Sequence, residues 1–255
     1  MTRGTKKIIY GVFYLFIFGL IFYWLFGGLF IKAPTCSDGI QNQNETGIDC
    51  GGVCTKCEIT ELSPLRQVGD VRVFSLEGGK VILLAEILNP NQFFSSDRFS
   101  YTFTAYNARN QEIERIPGND AIFALEKKFI FEPRISSSAK DISKVELTLS
   151  DTSWKKAYEM LRPDVVISSA VETKNTDQGI RVSGSVKNQG SVLASEVRIT
   201  AILYDKYDTE IFPGQTILSD LSGLEEKPFV VSFPENKQIT DEVDFSRTKV
   251  FLSTQ

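Results

Sequence analysis

The sequence predicts a mainly β protein: two tandem antiparallel β-sandwiches behind an N-terminal transmembrane helix and a short disulfide-rich segment. Three observations carry that prediction. Residues 8–31 contain no charge. All four cysteines fall between positions 36 and 57. Beyond them, runs of β-branched and aromatic residues recur in order at offsets of 98 and 99.

The run from Ile8 to Ile31 is 24 residues long. As a helix it would span roughly 36 Å, enough to cross a hydrocarbon core of about 30 Å with some tilt. Tyr10 lies near one end and Tyr23 and Trp24 toward the other, as suits the headgroup boundaries. A cleaved signal peptide is the rival reading, but its apolar region is shorter, and Ile31-Lys32-Ala33 is a poor cleavage site. No lipobox precedes Cys36. Arg3, Lys6 and Lys7 precede the run and only Lys32 follows closely, so residues 1–7 are expected to be a cytoplasmic tail. The expected location is the plasma membrane, with the bulk of the chain outside the cytoplasm. All 32 acidic and 25 of the 28 basic residues follow Lys7, a formal charge of −7. That disfavours an anionic lipid surface as partner.

Residues 32–60 read as a Cys-rich stalk. An oxidising compartment makes two disulfides among Cys36, Cys50, Cys54 and Cys57 the default, with three pairings open. A four-thiolate zinc site is the alternative, because Cys54-x-x-Cys57 has ligand spacing. The remaining spacing is not that of paired knuckles. Asp38, Asn42, Asn44, Glu45 and Asp49, interleaved with glycines, could hold calcium, although the register is not that of an EF-hand. The plainer reading is tight turns in a stapled loop. The wording DGIQN-x-x-ETGIDCGG-x-C-x-x-C resembles a small cysteine motif of microbial surface and exported proteins, which implies location rather than activity. Asn44-Glu45-Thr46 matches a glycosylation sequon.

Past the stalk, Val81–Leu88, Arg98–Tyr106, Val182–Val186 and Glu196–Tyr204 read as strands. Phe99, Tyr101, Phe103 and Ala105 alternate with Ser100, Thr102 and Thr104; Val197, Ile199, Ala201 and Leu203 alternate with Arg198, Thr200 and Ile202. That is the pattern of half-buried strands. Trp154–Leu161, ended by Pro163, is the one helical candidate here. Glu86-Ile-Leu-Asn89 answers Ser185-Val-Lys-Asn188, and Phe103-Thr-Ala-Tyr-Asn107 answers Ala201-Ile-Leu-Tyr-Asp205. Residues 61–160 and 161–255 are therefore expected to be two copies of one domain, each of immunoglobulin-like length and strand spacing.

The second copy, with Val182-Ser-Gly-Ser-Val-Lys-Asn188 and Ala201-Ile-Leu-Tyr-Asp205, resembles the FxLYD domain, with Ala201 in place of Phe. The first keeps Phe103 but has Ala105 and Asn107 for Leu and Asp. Its Asn89-Pro90-Asn91 turn resembles the water-stress, late-embryogenesis-abundant type of sandwich. The resemblance covers about residues 62–255 and implies an envelope-facing immunoglobulin-like module with no common catalytic site.

The chain has 255 residues, a net charge of −4 and no histidine. That removes Ser-His-Asp and Cys-His catalysis and His-ligated metals. The mild acidity argues against nucleic acid. Phe93 and Phe94 are a candidate loop contact patch, and Trp154 a candidate partner anchor or cover for the seam between the sandwiches. Tyr106-Asn107 and Tyr204-Asp205 are expected to end strands and open hairpins. Glu225-Glu226 and Asp241-Glu242 are poor acid/base pairs, because neighbours on a strand face opposite ways. The expected function is non-catalytic binding or scaffolding of an unidentified envelope protein or polymer, with no cofactor. The alternatives are a calcium- or metal-dependent sensor using the Cys-rich segment, and an enzyme built on carboxylates or Lys.

Overall fold

The computed structural model describes residues 3–30, 35–42, 44–45, 47–54 and 62–255. Two compact units result, Met1–Glu61 and Leu62–Gln255.

In the first unit, α1 spans Arg3–Phe30. No proline interrupts it, and its Leu-, Ile- and Phe-rich run can satisfy every backbone group internally, as hydrocarbon demands. Its Arg3–Phe22 stretch is long and apolar enough to cross a membrane. Ile8 lies on this helix; Ile31 lies outside the described residues.

The second unit is almost entirely β. Its strands are β1 (Arg66–Ser75), β2 (Val81–Leu88), β3 (Phe94–Tyr106), β4 (Glu112–Ile122), β5 (Lys127–Ile135) and β6 (Lys144–Lys156). There follow β7 (Val165–Ile167), β8 (Glu172–Thr176), β9 (Gly179–Asn188), β10 (Ala194–Tyr204), β11 (Glu210–Leu221) and β12 (Glu226–Ser232). A short helix α2 (Lys237–Glu242) precedes β13 (Lys249–Thr254). Sheets β1-β2-β5 and β4-β3-β6 face each other in the first sandwich; β12-β9-β7, with β8 on β9, and β11-β10-β13 do so in the second. All pairings are antiparallel.

Phe99, Tyr101 and Phe103 of β3 meet Leu83, Ala85 and Ile87 of β2 in the first core. Val197, Ile199, Ala201 and Leu203 of β10 meet Val182 and Val186 of β9 in the second. The inward faces are thus the ones the alternation predicts. The opposite face of β10 is not half-exposed as expected. Ile202 and Tyr204 are buried against Leu84 and Phe129, with Phe74 and Phe131 beside them. The outer face of β2-β5 and that of β10-β13 close on each other, so four sheets stack. This burial of both faces is why Val81–Leu88 is apolar but for Glu86, which pairs with Lys127.

Strand register is matched between the sandwiches. Leu84 faces Phe131 and Ser183 faces Val230, an offset of 99 on both strands. Ala105 faces Glu114 and Leu203 faces Phe212, an offset of 98, and the register slips at the next residue in each case. Even the loops correspond. Asn89 is fully buried; its amide donates to the carbonyls of Phe94 (2.7 Å) and Phe123 (2.9 Å), and its Oδ1 accepts from Asn91 N. Asn188 does the same to Val192 (2.7 Å), Leu221 (3.2 Å) and Gly190 N. These residues are more than turn formers: each ties two loops together inside the protein. Asn188→Ala leaves buried carbonyls unpaired and is expected to cost about 2 kcal/mol in urea unfolding; a change within error would contradict this role.

Trp154 departs from expectation twice. It sits on strand β6, paired with Ser96, and not in a helix. Only a single 3₁₀ turn, Ala157–Glu159, follows. The cross-strand partners along β3 explain this: Val145, Leu147 and Leu149 already alternate inward upstream, and the strand continues through Trp154. The half-buried indole packs on the core of the first sandwich rather than covering the seam.

Candidate functional site

In the Cys-rich segment Cys36 is bonded to Cys54, with Cα atoms 5.6 Å apart. Cys50 is also disulfide-bonded, and Cys57 lies outside the described residues. The sulfurs of Cys36 and Cys54 lie close to the Glu45 carboxylate. Oxidised sulfurs offer no thiolate, so this trio is no zinc site. Glu45 Oε1 and Cys54 Sγ, 3.1 Å apart, are in contact without a hydrogen bond, because a disulfide sulfur carries no proton.

The candidate calcium ligands act on the loop's own backbone. Asp38 accepts from Thr35 N, Ile40 N and the Asn42 amide. Asp49 accepts from Gly39 N through both oxygens, each at 3.0 Å. The buried Glu45 accepts from Asn42 N and Asp49 N. Asn44 and Asp49 adopt left-handed backbone, which Asn and Asp tolerate. A cation here would compete with those N–H groups for the same oxygens.

Phe93 is exposed, and Phe94 opens β3 half-buried. Asn107 and Asp205 open hairpins as expected: Asp205 Oδ1 accepts from Tyr207 N and Thr209 N, and Asn107 Oδ1 from Arg109 N and Gln111 N. These bonds hold the Asp205 carboxyl below its usual range.

Sequence reasoning missed the seam. There Asp120 and Lys128 of the first sandwich are both buried, Nζ 3.1 Å from the carboxylate and 2.9 Å from Ala121 O. Arg198 of the second donates to Asp120 at 2.6 Å, and the Gln255 amide also donates to Asp120. A second pair bridges Arg72 and Glu210 at 2.5 Å. One signal was available: Ile202 and Tyr204 put large apolar bodies on the face the alternation assigns to water, beside Arg198.

Tyr204 donates to Glu210 (3.3 Å), and burial, then the Glu210 charge, push its phenol up to about 12. An unfolded tyrosine titrates near 10. Between those values the unfolded chain gives up its proton first, so stability falls as pH rises from about 10 toward 12. Tyr204→Phe should reduce that slope in urea unfolding at graded pH; an unchanged slope would refute the assignment.

A groove of about 590 Å³ opens along the seam, lined in part by Tyr101, Asp120, Glu132, Arg134 and Arg198. Glu132 is buried and held by Arg134 at 2.6 and 2.9 Å. Its carboxylates are thus matched by guanidinium or ammonium groups. A second groove, about 650 Å³, lies at the β10–β11 hairpin beside α2, with Asp205, Tyr207, Asp241, Asp244 and Phe245 among its walls.

No family profile and no curated protein sequence matches the chain. Solved structures similar to it include the exo-β-D-glucosaminidase CsxA, 10% identical with a TM-score of 0.28, over 72% of this chain and 25% of that one. Red sea bream transglutaminase is 10% identical with a TM-score of 0.21, over 67% of this chain and 28% of that one. The chain spans about a quarter of the length of each, and at these scores neither likeness informs function.

Proposed function

We propose that this chain is a single-pass plasma-membrane protein with a cytoplasmic N-terminus, displaying two immunoglobulin-like sandwiches outside the cytoplasm. The sandwiches are copies of one domain of FxLYD or water-stress type, and they bind or scaffold an envelope partner without bond-making chemistry. The observation that carries this reading is the Cys36–Cys54 disulfide within a few residues of an apolar helix. Disulfides persist in oxidising compartments, so the segment after the helix belongs outside.

The matched registers at offsets of 98 and 99 support descent from one domain. The pairing of Asp120 and Glu132 with cations supports a non-catalytic reading, because both carboxylates are engaged within the fold. The grooves and sheet edges offer contact surfaces to a partner.

Two measurements test the proposal. A thiol count on the full chain isolated from its membrane under denaturing, non-reducing conditions should find no free thiol; four would overturn the export reading. Crosslinking in intact cells followed by mass spectrometry should capture an envelope component on sandwich lysines. Crosslinks confined to cytoplasmic proteins would sink the display role.

A further inference from the structure

The end loops of both sandwiches carry exposed apolar side chains that their own fold does not call for. Phe93, Leu125, Tyr158, Leu161, Leu193 and Leu224 are each 51–72% exposed. They share one end of the stacked pair. Ala157 N donates to Phe93 O, and Leu125 N to Asn91 O, so the first loops touch. The connecting segment then crosses to the second sandwich, where Gln189 N donates to Asp164 O at 2.7 Å. Leu193 and Leu224 stand on the loops that Asn188 ties together.

Two of these residues are out of place conformationally. Leu125 (φ 54°) and Leu224 (φ 64°) occupy equivalent loop tips in left-handed backbone. Glycine or asparagine suits that conformation, and leucine there is strained. A strained, exposed leucine recurring in both sandwiches contributes nothing to either core. Its apolar body must serve something outside the fold.

The chain enters the sandwich pair at this end. Ser63, just beyond the Cys-rich segment, is held here by two hydrogen bonds with the Asn91 side chain, at 3.0 and 2.8 Å. From Phe30 the shortest covalent route is six residue steps to Cys36, 5.6 Å across the disulfide and eight steps from Cys54 to Leu62. At about 3.5 Å per step, that tether reaches no more than about 55 Å. Cations border the patch: Lys156 lies over the Tyr158 ring (5.5 Å) and Arg162 over Phe123 (5.8 Å). Aromatic and aliphatic tips flanked by Lys and Arg make the composition of a surface that sits in the lipid interface.

We infer that this end of the sandwich pair docks on the bilayer that α1 spans, with Leu125, Leu224 and Phe93 inserted among the headgroups. The inference rests on the membrane-anchor reading above.

The test uses the full chain in phosphatidylcholine nanodiscs, with and without brominated acyl chains. The native chain comes first: bromolipid quenching of Trp24 reports the span, and its absence would defeat the anchor reading itself. A Trp24→Phe background then keeps only the sandwich-core Trp154. On it, Phe93→Trp is compared with Tyr207→Trp at the far end of β10, roughly 30 Å away along the strand. The Phe93→Trp chain should lose several-fold more emission to bromolipid than the Tyr207→Trp chain. Adding Leu125→Asn and Leu224→Asn should abolish most of that difference without lowering the melting temperature, since asparagine accepts the left-handed backbone. Equal quenching at both ends, with Trp24 quenched, would overturn the docking; so would self-association that shields the Phe93 site from aqueous iodide instead.

Discussion

Asp120→Ala is expected to destabilise the sandwich pair by about 3–5 kcal/mol. Asp120 neutralises Lys128, whose side chain is fully buried, and receives Arg198 and Gln255 from the second sandwich. Removing the carboxylate strands an ammonium in a low-dielectric interior, with only Ala121 O left to it. Most of the loss is the penalty of that lone charge rather than the worth of the pair. Asp120→Asn combined with Lys128→Met should therefore recover a large part of it, because a neutral amide still accepts from Arg198. Urea unfolding of the full chain in detergent, followed through Trp154 in a Trp24→Phe background, measures both. A single-variant loss under about 1 kcal/mol would mean that water reaches Lys128.

Gly179→Ala carries the second large effect. Gly179 has φ 102°, where L side chains are rare. A Cβ there would stand 2.3 Å from Phe233 O and 2.8 Å from Glu235 N, both backbone atoms. Those segments are pinned: Phe233 N donates to Ile180 O at 2.8 Å, and Phe233 is buried in the second core. Neither strain nor clash can be relieved by rotating a side chain. The sum is on the order of 3–5 kcal/mol. Gly78→Ala, left-handed as well but with open space around its Cβ position, should cost about 1 kcal/mol and so separates conformation from crowding. Equal losses at the two positions would refute the crowding.

The residues that could be read from sequence are those governed by local chemistry. Phe99-x-Tyr101-x-Phe103 and Val197-x-Ile199-x-Ala201-x-Leu203 alternate with the pleat, so their inward faces were legible. Asn107 and Asp205 carry their turn chemistry in their own side chains. Asp38, Glu45 and Asp49 do likewise in the Cys-rich loop. The seam was hidden because its members lie on strands distant in sequence, and an outward-facing Arg198 looks like any solvated arginine until Asp120 meets it. Trp154 misled because Lys-Lys-Ala-Tyr-Glu-Met-Leu after it has helical composition, while its actual partner, Ser96, lies across the sheet. Tertiary pairing overrode local propensity there.

The proposed topology puts residues 1–7 and the sandwiches on opposite sides of a membrane. Lysine labelling of intact, outer-membrane-free cells with an impermeant amine reagent, resolved by mass spectrometry, tests this directly. The exposed Lys140, Lys174 and Lys206 of the sandwiches should be modified in intact cells, and Lys6 and Lys7 only after permeabilisation. Labelling of Lys6 and Lys7 in intact cells, with the sandwich lysines protected until lysis, would contradict the account.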